Sequence, residues 1–219
     1  MKDSGTPVFL FGAEGEEAYP YDGNGLLTIE PAEAILEAGE IYEFTYTVHL
    51  PADLTPVGGR YVAALFESLP VDSDDGSGQA GAGIIVATRV ASLLLLRPIG
   101  EGAKEMSLLP EIESLTARLA NGDTSLLVST LLANNGNAHI RPAEMSGTIT
   151  IADPSGLTVA TLDVDPHNIL PATNYNLKEV WDLPEDLMGG EYSIHVAINV
   201  QYPSGITHTV EESMVFSLP

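Results

Sequence analysis

Tyr192-Ser193-Ile194-His195-Val196-Ala197-Ile198-Asn199-Val200-Gln201-Tyr202 decides the fold class. Tyr192, Ile194, Val196, Ile198, Val200 and Tyr202 share one parity, while Ser193, His195, Asn199 and Gln201 share the other. That is the two-residue period of a strand with one face in a core and one in water. Isoleucine and valine at the inward positions suit a pleated surface. The stretch runs into Tyr202-Pro203-Ser204-Gly205, in which proline presets φ and glycine accepts a positive φ, so a hairpin tip is expected there. The returning strand is 206–216.

Working outward, 125–132, 147–151, 158–164 and 175–181 complete a set of six strand candidates with 192–202 and 206–216. Asp153-Pro154-Ser155-Gly156 supplies a second tip of the same kind. Short strands punctuated by such turns have the rhythm of a β-sandwich. In the first half, 41–50 (IYEFTYTVHL) alternates, 60–69 follows a Pro/Gly turn, and 84–96 (IIVATRVASLLLL) is apolar on both parities. The last pattern fits a strand covered on both faces or paired with another module. Helix-compatible stretches are short, 31–37 and 110–119, and neither holds a long 3.6-residue period. Pro98, Gly100 and Gly102 break the chain, and the polar segment 101–110 reads as a linker. The expectation is an all-β protein of two immunoglobulin-like β-sandwich domains in tandem, 1–105 and 106–219, with a Gly/Asp-rich hairpin insert at 70–83.

Composition narrows the function. The chain has 219 residues, 44% hydrophobic and 18% charged, enough for two modest cores of about 100 residues each. Eight Lys+Arg against 31 Asp+Glu give a net charge of −23. Such a field repels polyphosphate and anionic headgroups, so nucleic acid and direct membrane contact are disfavoured. With no cysteine, a disulfide framework, a thiolate metal site and a cysteine nucleophile are all excluded. Met1-Lys2-Asp3-Ser4-Gly5-Thr6-Pro7 carries no apolar signal core, which fits either a cytoplasmic start or a start that follows a removed export signal, the second being preferred.

Candidate chemistry is sparse. Asp72, Asp74 and Asp75 lie in a dense acidic loop, a weak Ca²⁺ candidate, but counting from Asp72 the sixth residue is Ser77 and the twelfth Gly83, against the glycine and glutamate of an EF-hand. A solvated hairpin loop is the simpler reading, and no cofactor is expected. His49, His139, His167, His195 and His208 show no metal spacing. His195 and His208 are offset along their hairpin by roughly 13 Å at about 3.3 Å per residue, too far to share one metal. Neither a Gly-x-Ser-x-Gly elbow nor a phosphate loop occurs, so no enzyme is expected. Trp181 reads as core in preference to a sugar platform. Asn134-Asn135-Gly136-Asn137 reads as a loop supplying positive-φ positions.

Several segments, in order, carry a resemblance: Leu36-Glu37-Ala38-Gly39-Glu40 leading into IYEFTYTVHLP, Gly58-Gly59-Arg60-Tyr61-Val62-Ala63-Ala64-Leu65-Phe66, the Gly-rich insert, GIIVATRVASLLLLRP, Asn134 to Pro142, Ile169-Leu170-Pro171 and Gly189-Gly190-Glu191-Tyr192. This layout resembles secreted bacterial surface proteins with two Ig-like domains, related to the WxL-interacting and DUF916-like proteins. The resemblance implies an exported envelope adhesion or scaffold component, extracellular or in the cell envelope, with an anchor beyond the sequence given. It also implies two or three strands before Val8-Phe9-Leu10-Phe11 that this chain lacks, so the first domain is expected to offer a sheet edge for self-association or donor-strand pairing. The layout is also similar to periplasmic pilus chaperones, whose long apolar strand pairs with a subunit. On either view the partner-binding candidates are Ile84, Val86, Arg89, Leu93, Leu95 and Arg97. A carbohydrate-binding accessory module, with a cell-wall glycan as ligand, is a further alternative.

Overall fold

A computed structural model describes residues 19–23, 25–37, 39–51, 57–68, 88–97 and 105–219. The insert acids Asp72, Asp74 and Asp75, together with Ile84 and Val86, lie outside these residues. Regular structure among the described residues is strand, with a 3₁₀ turn at Pro142–Glu144, so the protein is all-β. No helix there is long and apolar enough to cross a membrane. The chain forms two compact units.

The larger unit holds residues 97–219 with a short piece ending at Gly59. Its strands are β5 (Pro110–Ala120), β6 (Ser125–Asn134), β7 (Met145–Ala152), β8 (Thr158–Asp163), β9 (Thr173–Asp182), β10 (Gly190–Gln201) and β11 (Thr207–Leu218). They make a three-stranded sheet, β5-β6-β9, and a four-stranded sheet, β11-β10-β7-β8, with every pairing antiparallel. This is an immunoglobulin-like sandwich order with the fourth strand carried beside β7. All six strand expectations for this half fall on observed strands.

The inner faces supply the core. Leu126, Val128 and Leu132 of β6 and Leu177 and Trp181 of β9 belong to one buried cluster with Ile149 and Ile151 of β7 and Tyr192, Ile194, Val196, Ile198 and Val200 of β10. Each fully buried aliphatic side chain contributes about 1.5–3 kcal/mol. Trp181 is core, as its position at the end of a strand suggested. At the start of β10 the Tyr192 hydroxyl donates to Met188 O at 2.6 Å, a tyrosine corner that satisfies a polar tip at the rim of an apolar core. Tyr202 donates likewise to Leu108 O. Both predicted hairpin tips form, with Gly156 and Gly205 each at φ 86°.

Strand β5 corrects the helix-compatible reading of 110–119. A register shift between Ile112 and Ser114 inserts a bulge, so the half-buried Ile112, Leu115, Ala117 and Leu119 stand at spacings of three, then two. The bulge puts a 3- and 4-residue recurrence into a strand and imitates a helical stripe.

The Asn134–Asn137 loop is also corrected. None of its residues has a positive φ. Asn134 is buried, and its Nδ2 donates to Ala138 O at 2.9 Å and Ile169 O at 3.0 Å while its Oδ1 accepts from Gly136 N at 3.0 Å. Asn137 Oδ1 accepts from Ser107 N at 2.7 Å, and its Nδ2 donates to Glu105 O at 2.8 Å. The asparagines are thus backbone substitutes that satisfy groups the sheets leave unpaired. Gly136 is there for space, because a Cβ would lie 2.2 Å from Ser107 O.

The smaller unit has two hairpins. β1 (Leu27–Glu30) pairs with β2 (Thr45–Val48), and β3 (Arg60–Glu67) pairs with β4 (Arg89–Leu96). The strand expected over 41–50 is limited to the four residues of β2, and 31–37 is not helical. Aromatic rings join the hairpins: Phe66 lies 4.8 Å from Phe44 and 6.5 Å from Tyr46, centroid to centroid. Gly23 N donates to Tyr61 O at 2.9 Å.

Gly136→Ala is expected to cost about 1–3 kcal/mol, because the Ser107 backbone has to give way. Ser204→Ala at an exposed tip stays within about 0.5 kcal/mol. Thermal unfolding of the two variants checks this, and equal midpoints would contradict the close-approach role.

Candidate functional site

Strand β4 carries the candidates that the structure describes. It pairs with β3 from Arg60↔Leu96 through Glu67↔Arg89, and among the described residues no strand pairs with its other edge. Residues of one parity share a face across the pair, which places Arg89, Ala91, Leu93 and Leu95 with Glu67, Leu65, Ala63 and Tyr61. On that face Leu93 is 48% and Leu65 40% exposed. Val90, on the opposite parity beside Phe66, is 60% exposed. The expectation of a strand covered on both faces is therefore not met by β4, which leaves large apolar side chains in water on both. Arg89 pairs with Glu67 across the hairpin at 3.1 Å, both side chains well exposed, a contact of the kind that contributes about 0–1 kcal/mol.

Arg97 is corrected as a partner residue. Its side chain is only 10% exposed, and its Nη1 donates to both oxygens of Glu144 at 2.8 Å. Glu144 stands in the 3₁₀ turn before β7 and is itself 8% exposed. Arg141 closes the other side, with Nη2 donating to Oε1 at 2.6 Å and its backbone N to Oε2 at 3.1 Å. Burial alone would push the Glu144 carboxyl up, but hydrogen bonds from Arg141 and Arg97 outweigh it and hold the group below its ordinary value. His139, 3% exposed in the β6–β7 loop, is lowered to about 4 by burial and then by the Arg97 charge.

The remaining candidates stay apart. His195 and His208 belong to β10 and β11, but His195 stands opposite Ser213 and His208 opposite Val200, five positions along the ladder and on opposite parities. Among the described residues no group of three His, Asp or Glu side chains is placed to hold a metal. His195 Nδ1 lies 2.9 Å from Ser213 Oγ on the exposed face. Its other cross-strand neighbour is Thr150, which has no charge with which to orient or activate the ring as the third member of a triad does.

Sequence reasoning located β4 from its leucine run but missed Glu144, Arg141 and His139. Arg141 and Glu144 are three apart and were open to pairing, whereas Arg97 lies 47 positions from Glu144 and no local pattern joins them. Exposure cannot be read from an apolar run, because which faces of β4 stay in water is decided by tertiary packing.

Arg97→Ala leaves a buried carboxylate short of a partner and is expected to cost about 3–5 kcal/mol. Arg97→Met combined with Glu144→Leu is expected to recover most of that loss, since Arg141 is half exposed and tolerates losing its partner. Urea midpoints of the single and double variants test this; a double variant no more stable than Arg97→Ala would sink it.

No family model matches the chain, and no curated protein matches it. Among solved structures, a β-glucuronidase from Parabacteroides merdae is similar over 57% of this chain and 14% of that one, at 17% identity and a TM-score of 0.30. The overlap thus covers about one seventh of that much longer enzyme.

Proposed function

We propose that the chain is a non-catalytic binding or scaffold module of a bacterial cell envelope, and that it works by pairing β4 with the β4 of a second copy. The observation that carries this is the β3–β4 hairpin, with one edge unpaired among the described residues and Leu65, Val90 and Leu93 exposed. An edge that presents unpaired N–H and C=O groups beside apolar side chains invites strand addition.

Charge favours a second copy as the partner. A protein of net charge −23 repels itself over most of its surface. Within β3 and β4 the acidic residue is Glu67, and Arg89 neutralises it. Two copies therefore meet there without opposing carboxylates. Antiparallel pairing about Leu93 sets Ala91 against Leu95, Ser92 against Leu94 and Val90 against Leu96, apolar or small, and Arg89 against position 97 of the second copy, both arginines being paired with a carboxylate of their own chain. The order of sequence motifs supports the envelope location. The chaperone-like alternative is weakened because both candidate carboxylate anchors, Arg89 and Arg97, are already held by Glu67 and Glu144.

Light scattering behind size exclusion, from about 1 μM to about 1 mM to span weak Kd values, is expected to show the mass rising from 23.1 kDa toward twice that value. Added salt screens self-repulsion and strengthens the association, and Leu93→Glu weakens it at least tenfold with unchanged unfolding. A mass of 23.1 kDa at every concentration and salt would overturn the self-pairing.

A further inference from the structure

The Arg97–Glu144–Arg141 cluster is a second feature, independent of what β4 binds. Two guanidinium groups share one carboxylate, with Arg97 Nη1 at 2.8 Å from both of its oxygens and Arg141 Nη2 at 2.6 Å from one. Arg97 Nη2 is buried and has no hydrogen-bond partner among the described residues. His139 lies in the same neighbourhood, close enough to feel the charges of Arg97, Glu144 and Arg141. Glu144 also borders a surface depression of about 340 Å³ whose other walls include Ser146, Asn199, Gln201 and Thr207. Those neighbours from β7, β10 and β11 are neutral, so the titrating and charged groups of the site are His139 and Arg141 from the β6–β7 loop, Glu144 from the turn, and Arg97.

We infer that this cluster is an acid-released clasp, in which protonation of Glu144 and His139 frees the Arg97 side chain from the β6–β7 loop while the sandwich core stays folded. Near neutral pH the site holds two guanidinium charges against one carboxylate, with His139 neutral. In acid the carboxylate loses its charge and the imidazole gains one, so the buried Arg97 and His139 and the half-exposed Arg141 face one another as cations with the Glu144 charge gone. Arg97 Nη2 has no partner among the described residues, and once Glu144 is protonated its Nη1 loses the charge-assisted pair as well.

The sign follows from linkage. His139 is lowered from 6.5 to about 4, so between those values the unfolded or released state binds a proton that the clasped state refuses, and the clasp weakens as pH falls. Glu144, held below its ordinary 4.5, adds its contribution above that value and loses it as pH falls further. Glu144 borders the depression, so its side chain lies a short way from solvent. The inter-sheet core is aliphatic and aromatic and has no titrating group to respond in this range.

NMR of the full chain from pH 7 to pH 3 tests the clasp. The His139 ring is expected to titrate near pH 4, with the Arg97 and Arg141 side-chain Nε–Hε signals moving at the same midpoint and the β10 amides unchanged. Glu144→Gln should place the Arg97 signal at its acid position already at pH 7. The inference is overturned by an Arg97 signal that does not move across this range, by a His139 midpoint near 6.5, or by a Glu144→Gln protein whose Arg97 signal stays where the wild type has it. If Glu144→Gln does not fold, the wild-type titration decides alone.

Discussion

Everything in the larger unit depends on one contact, the inner face of β6 against the inner face of β10. Leu126, Val128 and Leu132 on one side and Ile194, Val196, Ile198 and Val200 on the other are at most 1% exposed. Neither strand can bury that side chain set alone, since a strand has only one face to give and its neighbours in the sheet lie beside it. Closing the two sheets on each other removes both faces from water at once. The polar groups at the rim then need partners, which explains why Asn134, Asn137 and Tyr192 spend their side chains on backbone atoms.

Legibility tracked the locality of the cause. Tyr192 to Tyr202 announced its fold because its alternation is a property of neighbouring residues, and the Pro-Ser-Gly tips did so for the same reason. β5 was misread because a bulge at Ile112/Ser114 changes the period at a point that only the partner strand reveals. The asparagine loop was misread because Gly136 answers to Ser107, nearly thirty positions away, and not to its own φ. Trp181 was placed correctly because a large aromatic at the end of an alternating strand has few places to go other than a small core.

The candidate site divides in the same way. The leucine run of β4 was visible as unusual, but its meaning depends on which side chains remain in water, and that is a tertiary property. Arg97 looked like an anchor for a partner and is instead bound to Glu144. A buried ion pair of this sort adds little net stability over apolar residues of similar size.

The proposed role of β4 stands or falls on whether its outer edge is available. In an antiparallel pair, backbone amides alternate between those bonded to the neighbouring strand and those pointing away. Amide hydrogen exchange resolved along Arg89–Leu96 reads the two sets separately. The account predicts that in dilute solution the set bonded to β3 is protected and the outward set exchanges freely, and that the outward set becomes protected as concentration rises. Equal protection of both sets at the lowest concentration would mean that the edge is already closed within one chain, and would contradict it.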